Sequence, residues 1–597
     1  MMTTKYKRTV ANDFCFGRGS MSHHVVRRLR PHLFHAFRRA QPVRVFSHAP
    51  PLAQSKKSRE VTHDYEKRVA QLEAHKPLAD CYPRAPLGLT WPTSSGEEPN
   101  LSSAEDLHYL AGALEKGETL RENGMDRPVS FAGRIRAVRT AGSKLVFIDL
   151  ACDDASLQMV VQLDQLKDVT PRQFKDATRV IRKGDWYLVT GWPHRTERGE
   201  PSVLATELPT MLSPSLHQIP ETLEDPETRA RSRHVDMLVN PASIQPLLVR
   251  HHITHRLREY FNENHFVEVS TPIITAGAGG AVARPFETEA TELQGQTLNL
   301  RIAPELWLKR LVVGGMRRVY EIGPAFRNEG VDATHNPEFT ICEFYEAFAT
   351  LDNLMFRTEY LLGELHSHIN ACGQPFPYGP ESPATLSGVP NLDLNLKGPY
   401  PRLEFLPTLQ NQIRPHRLPD LTSPTALDDL LTLFQTLNRP LPANPTLPRL
   451  LDTLSATYLE PLCQSPTFLI HPPALLSPLA KTLTCPTTGQ AIAARAELLI
   501  AGREYANMYE EENSPFAQRA KLEQQLAFRA VDREGDGRLQ VDERYLEALE
   551  WGLPPTGGWG CGVDRLVMLF SGREKLADCL AFGSLRHVAG GGGAGEK

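Results

Sequence analysis

Between Arg127 and Ser213 hydrophobic and polar positions alternate in short runs, VSFAGRIRAV, KLVFIDLA, LQMVVQL and DWYLVTGWP, separated by glycine-bearing turns. Period-two alternation sends successive side chains to opposite faces of a strand, so the runs predict a small antiparallel barrel with an apolar interior. A five-stranded barrel of this size often binds oligonucleotides, although alternation alone does not separate it from other small barrels. After the proline-marked connector PSLHQIPETLEDP the pattern changes, from about Arg231, to a long mixed α/β region. There QPLLVRHHITHRLREYFNENH has helical spacing and FVEVSTPII reads as a strand. From Pro375 to Pro473 the chain is rich in proline and leucine with weak periodicity, which predicts an insertion of short helices and loops. No internal repeat is evident.

Two segments carry candidate chemistry. In VYEIGPAFRNEGVDATHNPEFTICEFYEAF, residues 319–348, two alternating runs flank a polar loop. The loop supplies Arg327, Glu329 and His335, and the second run supplies Phe339, Glu343 and Tyr345. Glu343 and Tyr345 are two apart and share a strand face. A cation, acids, a histidine and aromatic rings so close together suit a nucleotide, with phosphate on arginine and base on a ring. The plainer alternative is a surface hairpin with ordinary salt bridges. In GGWGCGVDRLVMLFSG, residues 557–572, alternating glycines let a strand approach a ligand or another backbone, and Arg565 follows at the start of an apolar helix.

FRNEG and HNPEFT, taken with GGWGCGVDR, resemble motifs 2 and 3 of class II aminoacyl-tRNA synthetases, and FVEVSTPIIT resembles motif 1, whose strand and proline (Pro272) build a dimer interface in that family. The strings GGAVARPFET, LRIAPELWLKRLVVGG, EFTICEFYEAF, SPLAK and REYANMYEEENSPFAQR resemble lysyl-tRNA synthetases, and the resemblance runs from about residue 100 to 575. It implies an α+β protein: an OB-type anticodon-binding barrel followed by an antiparallel catalytic sheet flanked by helices. It also implies ATP and Mg2+, L-lysine and a lysine-accepting tRNA as ligands, and a homodimer.

The residue roles follow from the same resemblance. Arg327 meets the α-phosphate, His335 and Arg565 the γ-phosphate, Phe339 stacks on adenine, and Glu329 lies at its amino edge. Glu497 and Glu504 hold the metal; Arg327, Arg565 and Glu504 form the catalytic set. Glu343 and Glu511 receive the ε-ammonium between Tyr345 and Tyr509, Glu305 and Gly280 the α-amino group, and Asn507 the carboxylate. Two neighbouring carboxylates raise each other's pKa, a cost that a cationic side chain relieves and a neutral one does not. The plainer reading of Glu510, Glu511 and Glu512 is a solvated acidic run. In the barrel, Phe147, Gln158 and Glu200 fall where related synthetases read the anticodon; otherwise they are a core ring and two surface polar residues. Ser514 departs from the family, which usually has aspartate there, and the ending CLAFGSLRHVAGGGG departs from the expected C-terminal pattern.

Charge and composition refine the boundaries. A net charge of −4 means that nucleic acid is held by local patches. Residues 1–60 contain Arg27, Arg28, Arg30, Arg38, Arg39 and Arg44 against only Asp13 and Glu60, which reads as a mitochondrial leader. The alternatives are a basic arm that touches RNA, or a true start at Met21. The expected domains are therefore the leader 1–60, a helical extension 61–126, the barrel 127–215, and the catalytic domain 216–588 with its insertion at about 375–475. A disordered tail, 589–597, follows. The expected place is the mitochondrial matrix, with a cytoplasmic form left open. Nine cysteines without a CxxC pair argue for reduced thiols, and no apolar run reaches the ~18 residues of a membrane span.

Two imitations are set aside. DREGDGRLQVDE (residues 532–543) spaces Asp532, Glu534, Asp536, Gly537 and Glu543 like a calcium loop, but glutamate at the third position is atypical. His23, His24, His251 and His252 read as surface or helix residues. The rivals are an aspartate- or asparagine-specific synthetase, whose pocket would need a basic residue, and a catalytically silent paralogue.

Overall fold

The computed structural model describes residues 56–84, 104–123, 128–152, 155–276, 283–371, 396–532 and 541–588. The chain divides into two units, 1–60 and 61–597, and of the first only the opening of the helix Lys56–Glu73 is described. The rest of the proposed leader, Gly280, residues 533–540 of the calcium-like loop, part of the insertion (372–395) and the tail lie outside the described residues.

The alternating runs form the barrel strands β1 (Val129–Thr140), β2 (Leu145–Cys152), β3 (Ala155–Gln162), β4 (Trp186–Arg195) and β5 (Pro201–Ala205). Their order is β1-β2-β3-β5-β4, and pairing of β4 with β1 closes the ring; β6 (Thr210–Ser213) extends from β4. One pairing departs from the antiparallel expectation: β3 runs parallel to β5. The capped helix Pro171–Arg179 lies between β3 and β4, which allows the chain to return on the far side of the ring. Val146, Ile148, Leu150, Leu157, Met159, Val161 and Val189 fill the interior, as the alternation requires.

Thirteen further strands follow in the described residues. β7 (Val267–Glu268) is short, and β8 (Ile274–Thr275), β9 (Glu287–Glu289) and β10 (Thr297–Leu300) make a small sheet. β11 (Arg318–Phe326), β12 (Glu338–Ala347), β13 (Arg402–Glu404) and β14 (Thr467–Ile470) come next, then the pair β15 (Thr482–Thr484) and β16 (Ala491–Ala493). β17 (Arg495–Ile500), β18 (Arg503–Glu510) and β19 (Thr556–Gly562) complete an eight-stranded sheet ordered β13-β14-β17-β18-β19-β12-β11-β7. It is antiparallel except at its two ends, where β13 and β7 run parallel to their neighbours. The strand expected for FVEVSTPII is thus only two short pieces.

The proline- and leucine-rich region contains the helices Phe405–Gln412, Ala426–Thr436 and Leu447–Tyr458, packed around their own apolar cluster. β13 and β14 flank them and join the central sheet, which weak periodicity did not reveal. All four residues of β14 are buried, and such strands carry a continuous apolar run rather than alternation.

The central sheet has two differently built faces. Phe344, Met508 and Trp559 stand in register on three adjacent strands and point into the main core. Phe344 stacks on Trp559 with centroids 5.1 Å apart, and the Trp559 indole N–H donates to Thr358 at 2.9 Å. Apolar residues of the helices Gln245–Glu263, Leu351–Ala371 and Val563–Ser571 belong to the same core. The alternate residues of those strands face a cavity.

Candidate active site

Two rows cross the cavity floor. Tyr345, Gly558 and Tyr509 are in register on β12, β19 and β18, and Glu343, Gly560 and Asn507 form the next row. Glycine in the middle of each row leaves a trough between walls of larger side chains. A Cβ on Gly558 would overlap a carboxylate oxygen of Glu511 and stand 2.6 Å from Cε1 of Tyr345, so only glycine fits there. The cavity has a volume of about 1050 Å³.

At one end lies a buried charge cluster. Glu305, Glu343 and Glu511 are all nearly inaccessible. Glu511 and Glu512 are buried, Glu512 pairs with Lys521 at 2.7 Å, and Glu510 accepts from the Leu351 N–H at 3.0 Å. The three glutamates are therefore not a solvated run. The Tyr345 hydroxyl donates to Glu343 at 3.3 Å, and the Tyr509 hydroxyl donates to Glu305 at 2.6 Å. Burial, reinforced by the charge of Glu305, pushes the Glu343 carboxyl up to about 8. Burial also raises Glu511, against the pull of Lys309.

Lys309 was not singled out in the sequence. It is fully buried, with Nζ 2.6 Å from Glu305 and ion-paired to Glu511. Burial works against its charge, but the two carboxylates outweigh that and keep it protonated. Its string, ELWLKRLVV, reads as an ordinary amphipathic helix, so only the Glu305-to-Lys309 spacing of one helical turn hinted at the pair.

The other end is cationic. Arg327 lies over the Phe339 ring at 5.1 Å, and its buried Nε has no hydrogen-bond partner, a donor left for an anion. Arg565 donates to the Glu504 carbonyl at 2.8 Å and lies 3.3 Å from His335 Nε2. The opposite nitrogen of His335 pairs with Asp332 at 2.9 Å. Glu329 lines the same cavity at its exposed edge.

A β-bulge brings the remaining carboxylates together. Glu497 pairs with Asn507 across β17 and β18, but Glu504 is three residues from Asn507 and in a regular strand would face the other way. The register shifts between Leu498 and Leu499, and the extra residue, Tyr505, turns into the core. Glu504 is thereby returned to the side of Glu497. Among the described residues there is no cluster of three or more His, Cys, Asp or Glu suited to a metal. Two carboxylates beside a cationic region nevertheless suit Mg2+, which takes one or two carboxylates and completes its shell with phosphates and water.

Arg495 was also missed. Its Nε donates to Asn507 Oδ1 at 2.8 Å, and it contacts Glu497 as well. With Oδ1 accepting from Arg495, the Asn507 side chain has its amide N–H groups as its donors. Ser514 accepts from the Ala517 N–H at 3.3 Å at the start of the helix Pro515–Asp532, a helix-capping use that suits serine.

In the barrel, Phe147 is on the outer face, because its neighbours Val146 and Ile148 point inward. It is not a core ring. Gln158 lies opposite Asp149 on the same face as Phe147 and accepts from Ser202 at 3.2 Å, while Glu200 is exposed. The C-terminal segment contacts the motif 2 loop: the Leu576 N–H donates to Ala333 at 2.8 Å and that of Leu585 to Asn336 at 3.0 Å. Glu543, at the end of the calcium-like loop, pairs with Arg519 at 2.6 Å.

A trough lined by both cations and carboxylates, on a chain that also carries a five-stranded barrel with a half-buried phenylalanine on its outer face, defines a class of protein. Residues 225–586 match the family of class II tRNA synthetases (D, K and N), and residues 129–210 match the OB-fold nucleic acid binding domain. The chain belongs to the class II tRNA synthetases. Within them it is 41% identical to a mitochondrial lysine–tRNA ligase of Schizosaccharomyces pombe, over 76% of this chain and 84% of that protein. It is 36% identical to the mitochondrial lysine–tRNA ligase of Saccharomyces cerevisiae, over 77% and 82%. A probable cytoplasmic lysine–tRNA ligase of Enterocytozoon bieneusi is 38% identical over 77% and 87%.

Proposed function

We propose that the chain is a lysine–tRNA ligase of mitochondria that works as a homodimer with ATP and Mg2+. The lysine carboxylate attacks the α-phosphorus of ATP and pyrophosphate leaves, giving lysyl-adenylate. A ribose hydroxyl at the 3′ end of the tRNA then attacks the lysyl carbonyl and AMP leaves. Positioning and charge stabilisation are enough for both steps.

Arg327 holds the α-phosphate, where negative charge grows during attack, with the planar fork that suits two oxygens at once. Arg565 and His335 hold the γ-phosphate, and Phe339 and Glu329 the adenine. Glu497 and Glu504 hold Mg2+, which neutralises phosphate charge when bound. Glu343 and Glu511 receive the ε-ammonium between Tyr345 and Tyr509, Glu305 and Gly280 the α-amino group, and Asn507 the carboxylate. Phe147, Gln158 and Glu200 meet the anticodon, and the leader directs import to the matrix.

The observation that carries this reading is the pairing of Glu343 with Glu511 inside a tyrosine-walled pocket. An acidic side chain would be repelled there, and an amide would bring no charge to the Glu511 oxygen that Lys309 does not hold, which disfavours aspartate and asparagine. The test is ATP–pyrophosphate exchange with each of the twenty amino acids. Stimulation by lysine alone, lost in Glu511→Gln, is expected; exchange driven by another amino acid, or by none, overturns the proposal.

A further inference from the structure

Lys309 has a geometry that simple neutralisation of one acid does not require. Its ammonium touches two carboxylates from distant parts of the chain: Glu305, one turn back on its own helix at 2.6 Å, and Glu511, beyond β18. The rings of Tyr345, Tyr509 and Tyr545 stand around it at 5.9, 5.6 and 5.8 Å, and the Tyr509 hydroxyl shares the Glu305 oxygen. The second Glu511 oxygen is buried beside Gly558 without a hydrogen-bond partner, so it is left for a ligand.

We infer that Lys309 is a specificity-determining positioning residue, which fixes the separation of Glu305 and Glu511 and so makes the pocket measure the length of an α,ω-diamino acid. This rests on the lysine-activating reading above, in which Glu305 takes the α-amino end and Glu511 the side-chain end. Without the bridge the two carboxylates repel, and Glu511 is free to follow a shorter side chain. Lysine exceeds ornithine by one methylene, a difference commonly worth about 10- to 200-fold in selection when the walls are rigid.

The experiment is steady-state pyrophosphate exchange with lysine and with ornithine, on the full-length protein and on Lys309→Met and Lys309→Arg. For Lys309→Met the KM for lysine rises about tenfold or more, the KM for ATP stays within about twofold, and the lysine-to-ornithine ratio of kcat/KM falls at least about tenfold. Lys309→Arg keeps a cation but changes its reach, so the KM for lysine is largely restored while the ratio still falls. An unchanged ratio in an active variant overturns the inference. If Lys309→Met does not fold, Lys309→Arg decides alone. If neither folds, Lys309 is a structural counter-ion and the inference fails. Failure of lysine to drive exchange in the unmodified protein would instead overturn the functional reading itself.

Discussion

Replacing Gly558 by alanine adds one methyl group at the narrowest point of the pocket. The new Cβ would overlap Oε1 of Glu511 and approach Cε1 and Cδ1 of Tyr345 to 2.6 and 3.0 Å. Neither neighbour can yield cheaply. Tyr345 is 3% exposed and hydrogen-bonded to Glu343, and Glu511 is held by the Thr556 carbonyl at its N–H and by Lys309 at its carboxylate. Overpacking a core costs about 1–3 kcal/mol, and removing one partner from a buried charge pair about 3–5 kcal/mol. The second value applies to lysine if Glu511 is driven off its ammonium. At about 1.4 kcal/mol per factor of ten, kcat/KM for lysine falls on the order of 100- to 1000-fold. Gly560→Ala is the internal comparison: its Cβ would stand 3.3 Å from Cγ of Glu343, a contact that a few tenths of an ångström relieve. Its loss stays below about tenfold. The assay is lysine-dependent pyrophosphate exchange at saturating ATP, with the KM for ATP as the measure of an intact fold. Gly558→Ala within about threefold of the unmodified protein would refute the steric argument.

Three further outcomes follow from other parts of the molecule. Because burial, with the charge of Glu305, pushes the Glu343 carboxyl up to about 8, it is protonated below that pH, and an arriving ammonium displaces the proton. Lysine kcat/KM therefore rises by up to about tenfold per unit towards pH 8 and then levels, and Glu343→Gln loses that limb; calorimetry in two buffers that detects no proton release at pH 7 contradicts this. Arg68, on the helix Lys56–Glu73, pairs with Asp185 just before β4 at 2.7 Å with both side chains inaccessible, so Arg68→Met leaves that buried carboxylate without its counter-charge at a cost of about 3–5 kcal/mol. A thermal midpoint unchanged within a degree would rule that out. Phe147→Ala removes the outer ring and about 1–3 kcal/mol of base stacking, which raises the KM for tRNA while leaving lysine-dependent exchange alone; a matched fall in exchange would point to a structural role instead.

What could be read in the sequence was what depends on a strict period. Glu343 and Tyr345, two apart on a strand, shared a face without further information, and the alternating glycines of β19 announced a close approach. Phe147 remained ambiguous because alternation gives two faces without saying which is inside; the burial of Val146 and Ile148 decides it. Glu504 and Asn507, three apart, contradict the period, and only the bulge at Tyr505 reconciles them. Lys309 and Arg495 were invisible for a different reason. Their neighbours are contributed by other elements, and nothing local distinguishes a lysine that bridges two carboxylates from one that covers an apolar stem.

The charges of the site also explain how one trough can orient two substrates. Arg327, Arg565 and His335 line one part of the cavity and Glu305 and Glu343 another, with Glu511 buried beside Gly558 and paired to Lys309. Glycine separates the walls of both floor rows, so these groups act across an open trough rather than neutralising one another side by side. In the proposed reading a triphosphate is drawn to the first part and an ammonium to the second. In that reading an amino acid whose cation is remote from its carboxylate occupies the second part and still presents that carboxylate to the first. Asn507, oriented by Arg495, stands in the same row as Glu343, where such a carboxylate would pass. Arg327 acts in both directions: its buried Nε has no hydrogen-bond partner, and its charge pulls down the pKa of Glu343, which partly offsets burial. In the proposed reading selection and activation are coupled through one guanidinium, and Arg327→Lys, which loses the fork but keeps the charge, should impair kcat far more than the KM for lysine.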